Sequence, residues 1–378
     1  MKIAYIGHKR IPSREGGVEV VVTELAARMA QLGQDVTVYN RRGHNVAGRG
    51  FDNCQDGTIL NENNLHIVSV PTLNLKGLAA LSSSFFATLK AIKARPDVIH
   101  FHAEGPSAMV PLAKLAGVPT VVTIHGLDWQ RAKWNALASS YIKFGEKMTA
   151  RYADEIIVLN KDTKRYFIER YGRSTHLIPN GIRKGVSKKA NSIVNSFGLE
   201  KNSYILYLGR IVPEKGIHYL LEAFRNIKTS LKLVIAGGSS DSGDYFQKIK
   251  ELAQKDNRVI ITDFVYGEVL EELYSNAYVY VLPSDVEGMP MSLLEAMSYG
   301  NCCLVSDIPG CTDAVGDHAV LFKHGSVEDL EQKLETLIDS PEMVSRYQGG
   351  AGDYIASKYD WQKIVDGTLS VYRKAVGR

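Results

Sequence analysis

Short apolar segments alternate with longer amphipathic ones along most of the 378-residue chain. Short apolar runs bounded by turn residues are typical of buried strands, and apolar residues at helical spacing are typical of helices packed on a sheet. Their alternation predicts a parallel α/β architecture. In the first half we predict helices that include 17–32, 78–94, 105–116 and 161–171, between strands near 2–6, 35–39, 66–70, 97–101, 119–123, 155–159 and 175–178.

The same alternation restarts in the second half, where we predict strands near 203–208, 231–236, 258–261, 278–282 and 302–305. A chain of this length exceeds one ordinary core and suits two domains. Residues 179–185 and the polar stretch after them break the periodicity, as a linker does. We therefore predict a first domain over 1–180, a linker over 181–196 and a second domain over 197–378. The last predicted helix, 361–376, could pack on either domain.

Charge is divided unevenly between the two halves of the chain. The formal net charge is +4, yet residues 1–185 hold 25 Lys and Arg against 15 Asp and Glu, whereas the remainder holds 20 against 26. A basic first half predicts contact with something anionic. The sequence has no basic–aromatic motif of a nucleic-acid-binding module, so nucleic acid is not expected. An anionic membrane surface or a phosphorylated acceptor is the favoured partner.

Four cysteines, Cys54, Cys302, Cys303 and Cys311, show no metal-ligand spacing. They are typical of the reduced thiols of a cytoplasmic protein. The apolar run at residues 2–6 is too short for a signal peptide, and no run reaches the roughly eighteen apolar residues that span a bilayer. We expect a cytoplasmic protein that meets a membrane only peripherally, at its inner face.

The stretch from Glu287 to Glu295 carries the most informative chemistry in the sequence. It follows the predicted strand 278–282 and opens a helix at Pro290, where a missing N–H is harmless. A helix N-terminus above a sheet offers backbone N–H groups to an anion. The two carboxylates are hydrogen-bond acceptors suited to sugar hydroxyls. By itself this spacing also fits an ordinary capped surface helix.

Two further loops supply groups suited to a diphosphate. Gly209, Arg210 and Lys215 follow the first strand of the second domain, and the two cations can neutralise a diphosphate without a metal. Gly16 and Gly17 precede the first helix, where glycines let the backbone approach a phosphate or a carboxylate closely. The plainer alternatives are a solvated charged loop and a flexible turn.

Strand ends supply the remaining candidates. His125 ends an apolar strand, where its ring can donate to a sugar hydroxyl, although a lone histidine is more often a core residue. Gly237 and Gly238 follow the strand 231–236 and permit close backbone approach, either to a nucleotide or in a tight turn. The sequence has no Asp-x-Asp pair at a strand end, no zinc cluster, no P-loop lysine and no Gly-x-Ser-x-Gly elbow, so no metal is expected.

Taken together, these motifs resemble the retaining glycosyltransferases of family 4, in the expected order over nearly the whole chain. The resemblance implies an α/β GT-B fold, with two doubly wound Rossmann-like domains facing a central cleft. It also implies a nucleotide-diphosphate sugar as donor, linked to UDP, GDP or dTDP, with no further cofactor. The matching elements are Gly16-Gly17-Val18-Glu19, His125-Gly126, Pro179-Asn180-Gly181, Gly209-Arg210, Glu214-Lys215-Gly216 and Glu287–Glu295.

The same resemblance implies a role for each site residue. Arg210 and Lys215 would hold the donor diphosphate, and Glu295 would contact the nucleotide ribose. Glu287 and His125 would contact the donor sugar. Backbone near the donor would come from the glycine-containing loops and from the start of the helix, namely Gly16, Gly17, Gly209, Gly237, Gly238, Gly288, Met289, Pro290, Met291 and Ser292.

The implied reaction is transfer of the sugar to an acceptor hydroxyl with retained anomeric configuration. No carboxylate stands out as a nucleophile in the first domain, so we expect front-face attack, in which the leaving diphosphate accepts the acceptor proton. Two other classes stay open: a nucleotide-sugar 2-epimerase of GT-B-like fold, and a catalytically silent nucleotide-sugar-binding subunit. The apparently complete donor site favours transfer.

The opening segment, residues 7–17, is similar to bacterial polysaccharide-assembly enzymes, including rhamnosyltransferase-like members. That similarity implies a hexosyl or deoxyhexosyl donor and a lipid-linked saccharide acceptor in capsule or cell-surface glycan synthesis. Basic clusters in the first domain fit peripheral membrane binding, although each also fits a solvated helix face. These clusters are Arg41, Arg42 and Arg49; Lys90, Lys93 and Arg95; and Lys133, Lys143, Lys147 and Arg151, the last set beside Trp134, Leu137, Tyr141, Phe144 and Met148.

Overall fold

The computed structural model describes residues 1–43, 63–73, 78–131, 134–239 and 243–377. The chain divides into two compact units. The first unit comprises Met1–Asn180 and Trp361–Arg378, and the second comprises Gly181–Asp360. Each unit has a parallel sheet with helices packed against it.

In the first unit seven strands alternate with helices. The strands are β1 (Lys2–Ile6), β2 (Asp35–Arg41), β3 (Leu65–Val70), β4 (Val98–His102), β5 (Thr120–Ile124), β6 (Glu155–Val158) and β7 (His176–Leu177). The helices are α1 (Gly17–Gln31), α2 (Leu78–Ala94), α3 (Glu104–Ser107), α4 (Val110–Leu115), α5 (Ala136–Tyr152) and α6 (Lys161–Tyr171). The sheet order is β3-β2-β1-β4-β5-β6-β7, so the winding direction reverses between β1 and β4.

The second unit repeats this plan with six strands. The strands are β8 (Tyr204–Leu208), β9 (Lys232–Ala236), β10 (Val259–Asp263), β11 (Val279–Leu282), β12 (Cys303–Ser306) and β13 (Val320–Phe322). The helices are α7 (Ser192–Phe197), α8 (Ile217–Asn226), α9 (Gly243–Ala253), α10 (Gly267–Asn276), α11 (Met291–Ser298), α12 (Pro309–Val315), α13 (Val327–Asp339), α14 (Pro341–Gln348) and α15 (Ala351–Lys358). The order β10-β9-β8-β11-β12-β13 reverses between β8 and β11.

The last helix, α16 (Trp361–Ala375), packs on the first unit, a choice that the sequence left open. Its Tyr372 is fully buried, and the Tyr372 hydroxyl lies 3.0 Å from the Tyr5 hydroxyl and 2.6 Å from His100 Nδ1. The first unit therefore takes part of its core from residues far along the chain. Residues 181–196, predicted to form the linker, belong to the second unit, where α7 begins at Ser192.

The predicted parallel α/β architecture is confirmed, and the predicted strands end within about two residues of the observed ones. One prediction is wrong: the helix expected over 105–116 is two short helices, α3 and α4. Pro111 has no N–H to give to a preceding turn, and it lies in the first turn of α4, as prolines commonly do. Arg49, Lys133 and Cys54 lie outside the described residues.

Candidate functional site

Three glycines at the ends of β8 and β9 bring two loops into direct backbone contact. Gly237 has φ +145°, and a Cβ there would lie 1.8 Å from the carbonyl oxygen of Gly209. A Cβ on Gly238 would lie 2.4 Å from the ring of Phe264. Glycine is therefore required at both positions by packing within the unit. The close approach at Gly237 is therefore to the backbone of Gly209, and that at Gly238 is to the side chain of Phe264.

Lys215 and Glu287 form an ion pair at the point where the second sheet reverses. Lys215 ends a short 3-10 turn after β8, and Glu287 lies in the loop after β11. Lys215 Nζ is 2.5 Å from Glu287 Oε1, and the two side chains are only 13% and 10% exposed. Ser284 Oγ donates to the same Glu287 oxygen at 2.7 Å. A largely desolvated cation and carboxylate thus lie together where this kind of sheet binds ligands.

Arg210 lies in the loop after β8 that also contains Lys215. Its carbonyl oxygen accepts a hydrogen bond of 2.9 Å from the buried Tyr207 hydroxyl. The guanidinium is half-buried and makes no ion pair with the residues that the structure describes. This contact fixes the backbone of Arg210 while the guanidinium is not committed to a carboxylate.

The helix α11 begins where the sequence predicted, with Pro290 as its N-cap residue. Met289 and Met291 are buried on either side of it, and Gly288 precedes them in the loop. Ser292 Oγ hydrogen-bonds to the Tyr280 hydroxyl at 2.9 Å. These contacts anchor the first turn of α11 to the strand β11, so its backbone N–H groups have a fixed direction.

Glu295 is held by a tyrosine that the sequence did not single out. The Tyr274 hydroxyl donates to Glu295 Oε2 at 3.0 Å and lies 3.3 Å from the carbonyl oxygen of Ser292. Glu295 is half-buried one helical turn after Ser292. One carboxylate oxygen is therefore oriented by protein, and a carboxylate held in this way is suited to accept a hydrogen bond from a ligand hydroxyl.

In the first unit, His125 lies directly after β5 and is 8% exposed. Its Nε2 is 3.0 Å from Nδ1 of His102, which ends the neighbouring strand β4. Burial lowers the pKa of His125 to about 4, although the charges of Asp128 and Glu19 act in the opposite direction. Burial also lowers the pKa of His102 well below its ordinary value. Both rings are therefore neutral at pH 7.

Gly16 and Gly17 stand at the start of α1 in the same unit. Gly16 is the N-cap residue with extended backbone (φ −145°, ψ 146°), and Gly17 is the first helical residue and is exposed. The Glu19 carboxylate accepts from the backbone N–H of Lys9 at 2.9 Å. The glycines thus lie on an exposed helix N-terminus, as predicted.

Two buried carboxyl groups of the first unit were missed by sequence reasoning. Glu104 is fully buried, accepts from the Asp128 N–H at 3.1 Å, and has a pKa raised by burial and by the charges of Asp128 and Glu146. Glu146 accepts from Trp129 Nε1 at 2.9 Å and from the Tyr166 hydroxyl at 2.8 Å. The bonds from Asp128 and Trp129 fasten the loop after His125 to α3 and α5. The sequence signal for Glu104 is an acidic residue in apolar surroundings, whereas Glu146 lies between Lys143 and Lys147 and gives no such signal.

The structure groups the predicted residues by unit. It brings Lys215 and Glu287 together in the second unit, and it places His125 in the first. Within the described residues, no group of three or more His, Cys, Asp or Glu side chains is arranged to hold a metal ion. Among the described helices, none has both the length and the apolar character needed to cross a bilayer.

Two family models divide the chain between them. The model described as Glycosyltransferase Family 4 matches residues 15–184, and the model described as Glycosyl transferases group 1 matches residues 190–351. Their order follows the two units of the structure, and the second range contains the Lys215–Glu287 pair.

The chain belongs to the family 4 glycosyltransferases. The family and the GT-B fold that the motifs predicted are confirmed.

Curated relatives of this glycosyltransferase carry several activities. It is 26% identical to the α-maltose-1-phosphate synthase of Mycolicibacterium smegmatis, over 99% of both chains. It is 30% identical to the UDP-Gal:α-D-GlcNAc-diphosphoundecaprenol α-1,3-galactosyltransferase of Escherichia coli, over 64% of this chain and 66% of that protein.

Among solved structures, this glycosyltransferase is similar to Anabaena HepE in complex with UDP and glucose. The TM-score is 0.80 at 17% identity, and the match covers 98% of this chain and 99% of HepE. It is also similar to the sucrose-phosphate synthase of Thermosynechococcus elongatus, with a TM-score of 0.79 at 20% identity, over 99% of this chain and 98% of that one. At such identities the likeness shows the shared fold.

Proposed function

We propose that this glycosyltransferase moves a hexosyl or deoxyhexosyl group from a nucleotide-diphosphate sugar to an acceptor hydroxyl, with retention of configuration and without a metal. The observation that carries the proposal is the desolvated Lys215–Glu287 pair at the strand reversal of the second unit, where Lys215 shares the loop after β8 with Arg210. The cations Lys215 and Arg210 suit a diphosphate, and the Glu287 carboxylate suits a sugar hydroxyl.

The donor side is argued from the residues of the second unit. Lys215 would meet the diphosphate as a point charge, and Arg210 would meet it through the planar fork of its guanidinium. As the bond to the sugar breaks, negative charge grows on the diphosphate, so both cations stabilise the transition state more than the ground state. Glu295, oriented by Tyr274, would accept from the ribose.

The identity of the base is supported by relatives. HepE is described with UDP and with UDP-glucose, and the E. coli relative uses UDP-Gal. We therefore place UDP first among UDP, GDP and dTDP donors. A thermal-shift panel of free nucleotides and nucleotide sugars tests this, because a ligand that binds only the native state raises its melting temperature. Stabilisation by none of them would contradict the donor site.

Retention by front-face attack is supported by the surroundings of two carboxyl groups of the first unit, those of Glu104 and Asp128. Burial raises the pKa of Glu104, which disfavours its charged form, and the Asp128 carboxylate pairs with Arg131 at 2.7 Å. Neither is a ready nucleophile, so the leaving diphosphate is the base we propose for the acceptor hydroxyl. NMR of the new linkage tests retention, and an inverted anomer would refute it. Loss of activity in EDTA with rescue by Mn²⁺ would refute metal independence.

The acceptor that we propose is a lipid-linked saccharide of a bacterial surface-glycan pathway, met at the inner face of the membrane. One relative acts on a diphosphoundecaprenol-linked sugar. In the first unit, α2 exposes Phe85, Phe86 and Leu89 beside the exposed Lys90 and Lys93. Exposed apolar and basic side chains on one helix suit the interface of an anionic membrane.

A second helix of the same unit has a similar composition. On α5, Leu137 is 82% exposed and Phe144 is 49% exposed, next to the exposed Lys143 and Lys147. Tyr141 and Met148, which belong to the same predicted cluster, are half-buried. We propose that α2 and α5 together form the membrane-binding surface.

A further inference from the structure

Two histidines at the ends of neighbouring strands of the first unit share one hydrogen bond. His102 Nδ1 and His125 Nε2 are 3.0 Å apart, and the two rings stack with centroids 5.3 Å apart. The parallel register pairs His102 with Thr123, so the geometry is set by β4 and β5. A contact fixed by two central strands of a sheet leaves the rings little freedom to rearrange.

This hydrogen bond holds a single proton. The ring of His102 is fully buried and that of His125 nearly so, and burial keeps both neutral. A neutral imidazole carries a proton on one nitrogen and a lone pair on the other. The proton between the rings therefore belongs either to His102 Nδ1 or to His125 Nε2, and the choice sets what the far nitrogen of each ring can do.

The two positions of the proton have different consequences for His102 Nε2, the ring nitrogen that faces away from His125. Its Nε2 is buried and has no hydrogen-bond partner among the described residues. If His125 were the donor, His102 Nε2 would carry an N–H with no acceptor. If His102 Nδ1 is the donor, Nε2 is only an unused lone pair. A buried N–H group without an acceptor is rarer in folded proteins than a buried lone pair without a donor. Donation from His102 Nδ1 to His125 Nε2 is therefore favoured.

A third histidine in the same unit shows the same preference independently. Asn40 Oδ1 accepts from the backbone N–H of Ile11 at 3.0 Å while Asn40 Nδ2 donates to the Ile11 carbonyl at 2.8 Å, which fixes the amide orientation. His8 Nε2, at 2.9 Å from that oxygen, must therefore donate to it. Its buried Nδ1, which also lacks a partner among the described residues, is a lone pair.

We propose that His102 is a positioning residue that holds His125 in the Nδ1–H tautomer, so that His125 presents a hydrogen-bond donor to its ligand. Nδ1 of His125 makes no hydrogen bond to the described residues and is the atom left for a ligand. The inference rests on the proposed function, because it takes His125 to contact the donor sugar. It specifies that the sugar must offer an oxygen acceptor there.

The tautomer can be read directly in the ligand-free enzyme. Long-range ¹H–¹⁵N NMR of protein labelled at its ten histidines distinguishes protonated from bare ring nitrogens, and the His125→Gln variant assigns the His125 signals. We expect a protonated Nδ1 and a bare Nε2 for His125 in the wild type. A protonated Nε2 would overturn the proposal.

Three variants separate positioning from simple packing. His102→Leu removes the donor, so His125 should shift toward the Nε2–H form and donor affinity should fall roughly three- to tenfold. His102→Asn places an amide N–H where Nδ1 stands and should restore both. His100→Gln is the control, because His100 is equally buried on the same strand but bonds to Tyr372 and Thr123. An unchanged His125 signature in His102→Leu would contradict the assignment.

Failure of the proposed function would look different. The tautomer is measured without ligand, so an Nδ1–H signature in a protein that binds no nucleotide sugar would keep the assignment of His102 and reject the donor site. Donor binding by a protein whose His125 is in the Nε2–H form would keep the donor site and reject the assignment of His102.

Discussion

Lys215 and Glu287, 72 residues apart in the sequence, form an ion pair in which the two charges neutralise each other. The cation that we assign to the donor diphosphate is therefore paired with a carboxylate of its own unit. A diphosphate must compete with the Glu287 carboxylate for Lys215, or share Lys215 with it.

Removing that competitor should strengthen binding of a product while weakening catalysis. In Glu287→Gln we expect UDP to bind about three- to tenfold more tightly, which corresponds to roughly 0.7–1.4 kcal/mol. Turnover should fall about 10²-fold, because the donor sugar loses a charged acceptor. Titration calorimetry with UDP and steady-state kinetics measure the two effects. Asp285→Asn, which removes a carboxylate paired with His324 instead, should leave UDP affinity unchanged. Weaker UDP binding in Glu287→Gln would contradict this account.

The orientation of Glu295 by Tyr274 predicts a graded loss of donor affinity. Glu295→Ala should weaken nucleotide-sugar binding about tenfold to a hundredfold, because a hydrogen bond to a charged group is worth roughly 1.5–3 kcal/mol. Tyr274→Phe keeps the carboxylate but frees its rotamer, so the loss should be smaller. Tyr278→Phe is the matched control, since its hydroxyl donates to the Leu337 carbonyl. Equal affinity in all three variants would remove Glu295 from the site.

The contact between Gly209 and Gly237 predicts that a substitution there changes the stability of the fold, independently of catalysis. Gly237→Ala forces a side chain onto the Gly209 carbonyl at a backbone angle that L-residues rarely adopt, so it should cost about 2–4 kcal/mol of unfolding free energy. Gly243→Ala, where nothing lies within 4 Å of the new Cβ, should change stability by less than about 0.5 kcal/mol. Urea unfolding compares them. Similar midpoints for the two variants would show that the loops can part.

Buried neutral histidines should make the first unit sensitive to acid. Burial lowers the pKa of His100 to about 3, whereas an unfolded histidine titrates near 6.5. Between these values the unfolded chain binds the extra proton, so stability rises with pH across the window and is lost as pH falls. His100→Gln should reduce the slope of unfolding free energy between about pH 4.5 and 6 by roughly 1.4 kcal/mol per pH unit. Equal slopes for both proteins would refute this prediction.

Membrane binding through α2 can be tested with vesicles of defined charge. Sedimentation should show binding to anionic vesicles and not to neutral ones, weakened by salt. The double variant Phe85→Ser, Phe86→Ser should weaken this binding at least about tenfold, because it removes apolar area from the interface. Val194→Ser removes an equally exposed apolar residue, 39% like Phe85, from the second unit and should have no effect. Indifference to vesicle charge would favour a soluble acceptor.

The sequence predicted the sheets better than it predicted side-chain partners. Continuous apolar runs such as Tyr204–Leu208 are read easily because parallel strands are buried on both faces. The strand β13 was missed, since it has three residues and Leu321 at its centre is exposed. Partners depend on strand order: His102 and His125 meet only because β4 and β5 are neighbours. Spacing along the chain contains no such information.

The packing of α16 has a consequence for how the protein is made. Tyr372 meets Tyr5 across 367 positions of sequence, inside the core of the first unit. The ribosome delivers Tyr5 early and Tyr372 late, whereas Gly181–Asp360 emerges as one uninterrupted segment. During synthesis the second unit can complete its fold while the first still lacks a helix. The first unit begins synthesis first but completes its fold last, when α16 packs. Until then its incomplete core exposes apolar surface, which favours aggregation.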